Sequence, residues 1–289
     1  MGIINCQEIR EEILNEVSEE MNVLEGVPQL AIISIGDDDA SKVYVRNKIK
    51  TAEQLGIDVI HYQLDKDITQ EEAELRIDNA CLTNHAVMLQ LPIPKHLDSK
   101  RLINRIPQCK DVDGLTDLNM GMLVNNDPRA IVPATAMGVY RIISKALGND
   151  LSSVNVVVVN RSQLIGKPLQ ALLTSHNATV TLCHSRTDNL RDVTSRSHVV
   201  VTGVGLPKYF DNSYFSDYQL IADCGMNRDE NNKLCGDVNV DDVLEHLDVS
   251  VTPTPRGVGL TTTSCLMLSV IHCFKLQMGE VDNNDNKCK

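Results

Sequence analysis

Short apolar runs alternate with helical patterns along almost the whole chain, and no other feature constrains the fold as strongly. In the first half, a helical stripe over 9–24 precedes an apolar run at 29–36, capping residues at 37–41 open a second helix, and strand-like runs follow at 57–64 and 86–91. Strands separated by helices pair in parallel, because the chain must cross back over the sheet between them. We therefore predict a mostly parallel α/β sheet.

The second half of the chain repeats this pattern. A predicted helix over 133–147 leads to Val154–Val159, a β-branched run continuous enough for a strand that is covered on both faces. Further along, the pattern predicts a helix at 167–175, strands at 178–182, 197–202, 219–223 and 249–252, and an apolar helix at 262–276. The repetition indicates a second α/β unit.

Length and charge limit the classes of protein that fit. A chain of 289 residues exceeds the usual size of one core, so we expect two domains. Its 27 Lys+Arg against 39 Asp+Glu give a net charge of −12, which disfavours nucleic-acid partners. With neither a signal peptide nor an apolar run long enough to span a bilayer, we expect a cytoplasmic protein without a membrane partner. The polar tail, 279–289, is expected to be disordered.

The nine cysteines are scattered and form no C-x-x-C pair. Cys224 and Cys235 lack a second pair with the spacing of a zinc site, so we expect no metal. Thiols within apolar segments are typical of reduced core residues in a cytosolic protein.

A turn in the second half has the position of a phosphate-binding loop. After the run Val156–Val159 the sequence reads Asn160-Arg-Ser-Gln-Leu-Ile-Gly-Lys-Pro168 and enters a helix. A strand, a tight turn and a helix N-terminus form the phosphate site of dinucleotide folds, although G-x-G-x-x-G is absent here. Arg161 and Ser162 are the candidate phosphate ligands. An ordinary turn with a solvated arginine is the alternative interpretation.

The next strand ends in Cys183-His-Ser-Arg-Thr187, where a Rossmann fold contacts the adenosine ribose. An acidic residue there would favour NAD, whereas Ser185 and Arg186 suit a 2′-phosphate. If this strand end binds a dinucleotide, the pattern favours NADP, with NAD as the second possibility; a plain turn with a solvated arginine is the alternative.

Two residues of the first half share a helical face. Tyr44 and Lys48 are spaced i, i+4, and a lysine beside a phenol in a cleft can have a lowered pKa and exchange protons. A solvated basic face, formed with Lys42, Arg46 and Lys50, would explain the same pattern.

Three further segments could contact a ligand. Gln90 ends a buried strand, and ligands of open α/β sheets bind outside such ends, although a strand-end amide without function is the simpler interpretation. Asp111 and Asp113 could bind a metal, accept N–H donors or only form an Asx turn. The loop 253–259 has glycines that allow close approach to a ligand, or it merely joins two domains.

Taken together, these segments resemble the bifunctional methylenetetrahydrofolate dehydrogenase/methenyltetrahydrofolate cyclohydrolase family. Its members carry, in this order, S-x-x-Y-x-x-x-K, Q-L-P, K-D-V-D-G, P-C-T-P-x-G, G-R-S-x-x-V-G-x-P, A-T-V-T-x-C-H-S, G-D-V and T-P-V-P-G-G-V-G-P. Recognisable versions of all eight lie at 41–48, 90–92, 110–114, 133–138, 160–168, 178–185, 236–238 and 252–260. Each motif alone is weakly specific, but the ordered set covers nearly the whole chain and is highly specific.

The resemblance implies two domains, an N-terminal α/β folate-binding domain and a Rossmann-like NADP-binding domain, with a cleft between them. We place the first at 1–138, completed by the C-terminal helix at 262–289, and the second at 139–261. The implied enzyme oxidises 5,10-methylenetetrahydrofolate with NADP and hydrolyses the methenyl product to 10-formyltetrahydrofolate. Such enzymes are usually homodimers of one-carbon metabolism, which supplies purine biosynthesis.

The resemblance also assigns roles to residues. Lys48 is the cyclohydrolase lysine, supported by Tyr44 and Gln90, and Asp113 holds the pterin ring. Arg161 and Ser185 contact the 2′-phosphate of NADP. The cofactor set also includes Thr135, Asn160, Ser162 and Gly166, and the substrate set comprises Tyr44, Asp113, Pro255 and Gly257.

This chain departs from the family pattern at five positions: Ala134, Ala136, Asn160, Arg256 and Leu260 replace, in order, a Cys, a Pro, a Gly, a Gly and a Pro. We expect Asn160 to preserve its turn, because Asn tolerates positive φ better than other non-glycine residues. The departures leave Lys48, Gln90 and Asp113 untouched, so the cyclohydrolase activity is better supported than the dehydrogenase activity.

Three alternative functions stay open. The substitutions above would fit a cyclohydrolase without dehydrogenase activity. A two-domain oxidoreductase similar to shikimate dehydrogenase is disfavoured by the missing G-x-G-x-x-G and by the turn Lys110–Gly114. A folate-binding protein without catalysis is disfavoured because binding alone does not require Lys48.

Overall fold

A computed structural model describes residues 1–279, except for the side chains of Asp39 and Ala40. The predicted disordered tail therefore lies, from residue 280 onward, outside the described residues. The strands are β1 (Gly2–Ile3), β2 (Gln29–Ile35), β3 (Asp58–Leu64), β4 (Ala86–Leu89), β5 (Asn155–Val159), β6 (Thr179–Cys183), β7 (Val199–Thr202), β8 (Leu220–Asp223), β9 (Asn227–Arg228), β10 (Leu234–Cys235) and β11 (Ser250–Val251). The helices are α1 (Cys6–Val23), α2 (Asp39–Gln54), α3 (Gln70–Thr83), α4 (Ser99–Ile103), α5 (Asp117–Val124), α6 (Ala134–Leu147), α7 (Gly166–Ser175), α8 (Leu190–Ser195), α9 (Val240–His246) and α10 (Val258–Met278).

The chain divides into two compact units. One, called the three-strand unit below, comprises Ile13–Ala134 and the chain from Thr263; the other, the six-strand unit, comprises Met1–Glu12 and Thr135–Thr262. The sequence analysis divides the chain into a folate-binding and an NADP-binding domain at 138/139 and 261/262. These functional boundaries remain a prediction.

The three-strand unit is built on a parallel sheet in the order β3-β2-β4. Its core packs buried residues of β2, such as Ile33, against Ala73 and Ile77 of α3 and Val87 of β4. A capping box, of which Thr69-x-x-Glu72 is the sequence signature, begins α3: Thr69 accepts the Glu72 N–H, and the Glu72 carboxylate accepts the Thr69 N–H. Pairing with β2 and packing in this core position the end of β4, which Gln90 follows.

The six-strand unit contains a fully parallel sheet in the order β1-β11-β8-β7-β5-β6. From β5 the chain crosses to β6 on one side and later continues through β7 and β8 on the other. The switch in direction lies between β5 and β7, which is where ligands bind in doubly wound sheets. All four residues of Val156–Val159 are buried, as the continuous β-branched run predicts.

The parallel α/β architecture is confirmed, but the sequence prediction lacks the short helices α4, α5, α8 and α9, and it differs in further details. β1 was not predicted, because two residues carry no periodic signal; it is held by main-chain bonds from Gly2 to Val249 and from Ile4 to Val251. The antiparallel pair β9–β10 was missed for the same reason. The last helix begins at Val258, four residues earlier than predicted.

By length and composition alone, α10 is apolar enough to cross a membrane. However, 61% of its most apolar window is buried within the protein, as in a core helix. This single helix is therefore weak evidence for a membrane protein.

Candidate active site and cofactor site

Lys48 and Gln90 meet at the strand ends of the three-strand unit. The Lys48 ammonium donates a hydrogen bond to Gln90 Oε1 at 2.9 Å and lies 3.9 Å from Met88 Sδ. Gln90 follows β4 directly, and its Nε2 donates to the Leu91 carbonyl at 2.7 Å. Because Nε2 is used in this way, Oε1 is turned towards the lysine. The predicted pair is thus brought together.

Asp113 is the electrostatic partner of Lys48. Burial lowers the pKa of Lys48, and the negative charge of Asp113 opposes this shift. Burial raises the pKa of Asp113 to about 6, while Lys48 lowers it and the nearby Asp111 raises it. A lysine that releases its proton more readily than usual therefore lies near a carboxylate that ionises only above about pH 6.

The two acids of the turn Lys110–Gly114 have different surroundings. The Asp111 carboxylate is buried and accepts the Thr116 N–H at 2.8 Å and Asn119 Nδ2 at 2.9 Å, so it stabilises the chain that follows. No such partner holds the Asp113 side chain among the described residues. Asp111 thus has a structural role, but through bonds to residues five and eight positions further on and not through an Asx turn. Asp113 stays available for a ligand.

Gly114 fixes the shape of this turn. Its φ is +65°, and a Cβ there would lie 2.2 Å from the Ile131 carbonyl oxygen. Only glycine satisfies both conditions. The Lys110 ammonium, for its part, donates to the carbonyls of Cys81 and Asn84 at the end of α3 and has a capping role.

Tyr44 lies one helical turn before Lys48 on α2 and is 44% exposed. The shared helical face is as predicted. Within the described residues, however, the lysine donates to Gln90 and not to the tyrosine hydroxyl. The phenol is therefore free to contact a ligand.

Asn160 organises the turn after β5. Its Oδ1 accepts the N–H groups of Ser162 at 2.7 Å and Gly166 at 3.0 Å, and its Nδ2 donates to the Gly203 carbonyl after β7. The expectation that Asn160 keeps the turn by adopting positive φ is wrong, since its φ is not in the left-handed region. The side-chain amide holds the turn instead.

The N-terminus of α7 offers fewer donors than the predicted phosphate site requires. Gly166 N–H donates to Asn160, and Lys167 N–H donates to the Ser162 carbonyl at 3.1 Å. Pro168 has no N–H at all. A phosphate at this turn would consequently depend on side chains such as Arg161, which is exposed, and not on the first amides of the helix.

A cavity of about 430 Å³ opens beside this turn, between the ends of β5, β6 and β7. It is lined by Val159, Asn160, Arg161, Ser162, His184, Ser185, Leu190, Gly203, Val204, Leu206, Tyr209 and Phe210. The lining contains one cation and no carboxylate, and it includes Ser185 but not Arg186. Its apolar residues with a single arginine and two serines fit a phosphorylated dinucleotide.

The remaining predicted residues lie elsewhere in the six-strand unit. Thr135 is in the first turn of α6, and Pro255 is exposed in the loop before α10. Gly257 is required there, because a Cβ would lie 2.0 Å from the Pro253 carbonyl oxygen. Arg256 has a φ of +71°, a conformation that favours glycine, the residue expected at this position from the family pattern.

Two buried acids were missed by the sequence analysis. Asp223 ends β8 and accepts hydrogen bonds from Thr202 Oγ1 and from the N–H groups of Gly225, Asp237 and Val238. Burial raises the pKa of Asp223 to about 6. The available signals were a polar residue at a strand end, as for Gln90, and the G-D-V motif, which contains the second acid, Asp237.

The described residues contain no cluster of three or more His, Cys, Asp and Glu side chains that could hold a metal ion. Their cysteines are all free thiols, and burial raises the pKa of Cys6 and Cys81 to about 11, which leaves both protonated at neutral pH.

One unit has a parallel sheet with a cavity at its switch point, and the other has a parallel sheet whose strand end carries a lysine–glutamine pair. These features define a dinucleotide-dependent α/β enzyme. Residues 4–113 match the tetrahydrofolate dehydrogenase/cyclohydrolase catalytic domain, and residues 133–278 match the NAD(P)-binding domain of the same family. The chain belongs to the tetrahydrofolate dehydrogenase/cyclohydrolase family. This family membership excludes one of the alternative functions given above, the two-domain oxidoreductase similar to shikimate dehydrogenase.

Individual relatives agree with this assignment. The bifunctional protein FolD of Agathobacter rectalis is 38% identical over 95% of this chain and 98% of its own, and that of Listeria innocua is 39% identical over 93% and 94%. The crystal structure of the Campylobacter jejuni bifunctional enzyme superposes with a TM-score of 0.90 at 30% identity, covering 96% of this chain and 99% of that one. A Trypanosoma brucei methylenetetrahydrofolate dehydrogenase-cyclohydrolase, solved with NADP and an inhibitor, gives 0.86 at 30% identity over 96% and 98%.

Proposed function

We propose that this chain oxidises 5,10-methylenetetrahydrofolate to the 5,10-methenyl compound with NADP and hydrolyses that product to 10-formyltetrahydrofolate. The observation that carries the proposal is the Lys48–Gln90 hydrogen bond with Asp113 as electrostatic partner, inside the region that matches the catalytic domain. The bifunctional relatives support both activities.

Hydrolysis requires proton transfer at the cationic carbon of the methenyl group. Water adds to this carbon, and the Lys48 amine takes up the proton that the water releases. The ring C–N bond then breaks as the formyl carbonyl forms: Lys48 returns its proton to the released nitrogen, and the hydroxyl proton of the adduct passes to solvent. The lowered pKa of Lys48 suits this exchange, and a cationic substrate nearby would lower it further. Gln90 orients the amine, Asp113 accepts N–H groups of the pterin, and Tyr44 packs against the substrate.

Oxidation depends on orientation more than on a protein base. Bound NADP would accept a hydride from the substrate. Arg161 and Ser185 hold the 2′-phosphate, because they are the cation and one of the hydroxyls of the cavity lining. Thr135, Asn160, Ser162 and Gly166 complete the cofactor site, and Pro255 and Gly257 contribute to substrate binding.

The partners follow from charge and exposure. We infer a homodimer: β3 pairs only with β2 among the described residues, and this leaves a seven-residue edge strand open, which proteins seldom tolerate. The net charge of −12 opposes nucleic-acid binding, and we expect a cytoplasmic enzyme without a membrane partner. Light scattering tests the homodimer inferred from the open edge of β3. A mass of about 32.0 kDa, which is the mass of one chain, would contradict it.

A cyclohydrolase without dehydrogenase activity is the second candidate. Arg256 favours it, because a non-glycine residue at a φ of +71° marks a changed loop beside α10. The deciding experiment follows methylenetetrahydrofolate oxidation by the purified protein with NADP and with NAD, with reduced cofactor and methenyl product recorded separately.

Faster turnover with NADP supports the bifunctional enzyme and the site at Arg161 and Ser185. Faster turnover with NAD keeps the enzyme and removes that phosphate site. Hydrolysis of methenyltetrahydrofolate without reduction of either cofactor establishes the second candidate. If neither reaction occurs although the protein binds the folate, it is a folate-binding protein without catalysis.

A further inference from the structure

A buried carboxylate holds the loop that forms one wall of the cofactor cavity. Asp237 is fully buried, and its two oxygens accept the N–H groups of Val204 at 2.5 Å, Gly205 at 3.3 Å and Leu206 at 3.0 Å. Asn227 Nδ2 adds a fourth bond at 2.8 Å. Val204 and Leu206 line the cavity directly. One side chain thus determines where three successive residues of that wall lie.

The position of the Asp237 carboxylate is itself fixed from several sides. Its own N–H donates to Asp223 Oδ1 at 3.2 Å, which ties it to the end of β8. A Cβ on Gly225 would lie 2.5 Å from Asp237 Oδ1, so only glycine leaves room for it. On the other side of the loop, Asn160 donates to the Gly203 carbonyl and connects the wall to the turn after β5.

The charge of Asp237 limits what can lie against this wall. Three successive N–H groups at a strand end form a concavity that binds anions. Here the protein fills the concavity with its own carboxylate, so the donors are not available to a phosphate. The cation of the cavity, Arg161, lines it on the side of the β5 turn. Phosphates are thus favoured near Arg161, and an uncharged part of the dinucleotide is favoured against residues 203–206.

We propose that Asp237 is a positioning residue for the dinucleotide, because it presets loop 203–206 as the surface for an uncharged part of the cofactor. The proposal rests on the NADP-dependent function given above. Asp237 itself contacts the loop and not the cofactor.

The test compares NADPH affinity, measured by fluorescence titration, in the wild type and two matched variants. Asp237→Asn keeps the shape but places an NH₂ group against N–H donors, so the dissociation constant should rise about tenfold. Asp229→Asn changes an exposed carboxylate that accepts the N–H groups of Asn231 and Lys233 in the same unit, and it should bind like the wild type. Asp237→Asn should raise KM for NADP more than it lowers kcat, and methenyltetrahydrofolate hydrolysis should be unchanged.

Wild-type affinity in Asp237→Asn would overturn the proposal, as would an equal loss in Asp229→Asn. If Asp237→Asn does not fold, Asn227→Ala removes one of the four bonds and should weaken NADPH binding about two- to threefold. A wild type that does not bind NADPH refutes the proposed function and, with it, any role of Asp237 towards the cofactor. If the wild type binds NADPH and only Asp237→Asn loses affinity, the proposed function stands and the positioning role of Asp237 is supported.

Discussion

At Lys48, two electrostatic effects act on one ammonium group. Burial lowers its pKa and the charge of Asp113 raises it, with burial the larger effect. The amine therefore exchanges protons at a lower pH than an exposed lysine would, which is what a hydrolytic role requires. The same helix carries Lys50, which is exposed, so the chain offers an internal comparison.

We expect Lys48→Met to lose at least about a hundredfold in hydrolysis of methenyltetrahydrofolate, because no other described amine donates to Gln90. Folate binding should be largely retained, since Tyr44 and Asp113 are unchanged. Hydrolysis rates and folate affinity of both Lys48→Met and Lys50→Met check this. Unchanged hydrolysis in the first variant would remove Lys48 from the mechanism.

Asp113 should make the fold less stable at neutral pH. Its pKa is raised from 3.8 to about 6 in the folded protein, so its favourable contribution is complete below pH 3.8 and is lost as the pH rises through about 6. Asp113→Asn should accordingly be more stable than the wild type at pH 8, by about 1–2 kcal/mol, and the gain should be smaller at pH 5. Urea unfolding at the two pH values measures the difference, and a constant difference would contradict the raised pKa.

The opposite result is expected for Asp223→Asn, although the pKa of Asp223 is also raised to about 6. The Asp223 carboxylate accepts four protein hydrogen bonds, and an amide cannot accept them all. The comparison of Asp113→Asn with Asp223→Asn thus separates a carboxylate that we propose binds a ligand from one that stabilises the fold.

The turn that connects β5 to α7 requires a glycine at position 166. A Cβ at this position would lie 2.0 Å from the Asn160 carbonyl oxygen, so the backbone must move. Gly166→Ala should reduce NADP-dependent oxidation at least about tenfold while hydrolysis persists, because the turn belongs to the six-strand unit. Gly121→Ala, where a Cβ meets nothing within 4 Å, is the control. Equal effects in both variants would argue against a specific role of the turn.

The sequence predicted long elements better than short ones. β5 and α3 were predictable because a β-branched run and a capping box are local signals that act within a few residues. β1 was not, since its two residues become a strand only through a partner, β11, about 250 positions away. Lys48 and Gln90 could be named from their motifs, but their hydrogen bond depends on tertiary packing, which brings together residues 42 positions apart.

The role of Asn160 shows another limit of sequence analysis. Its residue type suggested a backbone solution, positive φ, whereas the structure uses three side-chain hydrogen bonds. The role of Asp237 could not be predicted for a similar reason. Its partners at 204–206 are main-chain N–H groups, which do not depend on residue type.

For the whole molecule, thiol chemistry should have little effect on stability. All the cysteines among residues 1–279 are free, and burial raises the pKa of several of them, including Cys6, Cys81 and Cys183. The thermal unfolding midpoint should therefore be the same with and without a reducing agent. A midpoint that falls on reduction would show a disulfide that the described residues do not contain.

The hydrogen bonding at the start of α7 has a consequence for how cofactor preference can change. Since Gly166 and Lys167 already use their amides within the protein, we expect selectivity between dinucleotides to depend on exposed side chains, chiefly Arg161 and Ser185. Exposed side chains can be replaced without rebuilding the main chain. A lineage, or a protein engineer, could consequently move such an enzyme between the two nicotinamide pools by a few surface substitutions while the folate chemistry stays intact.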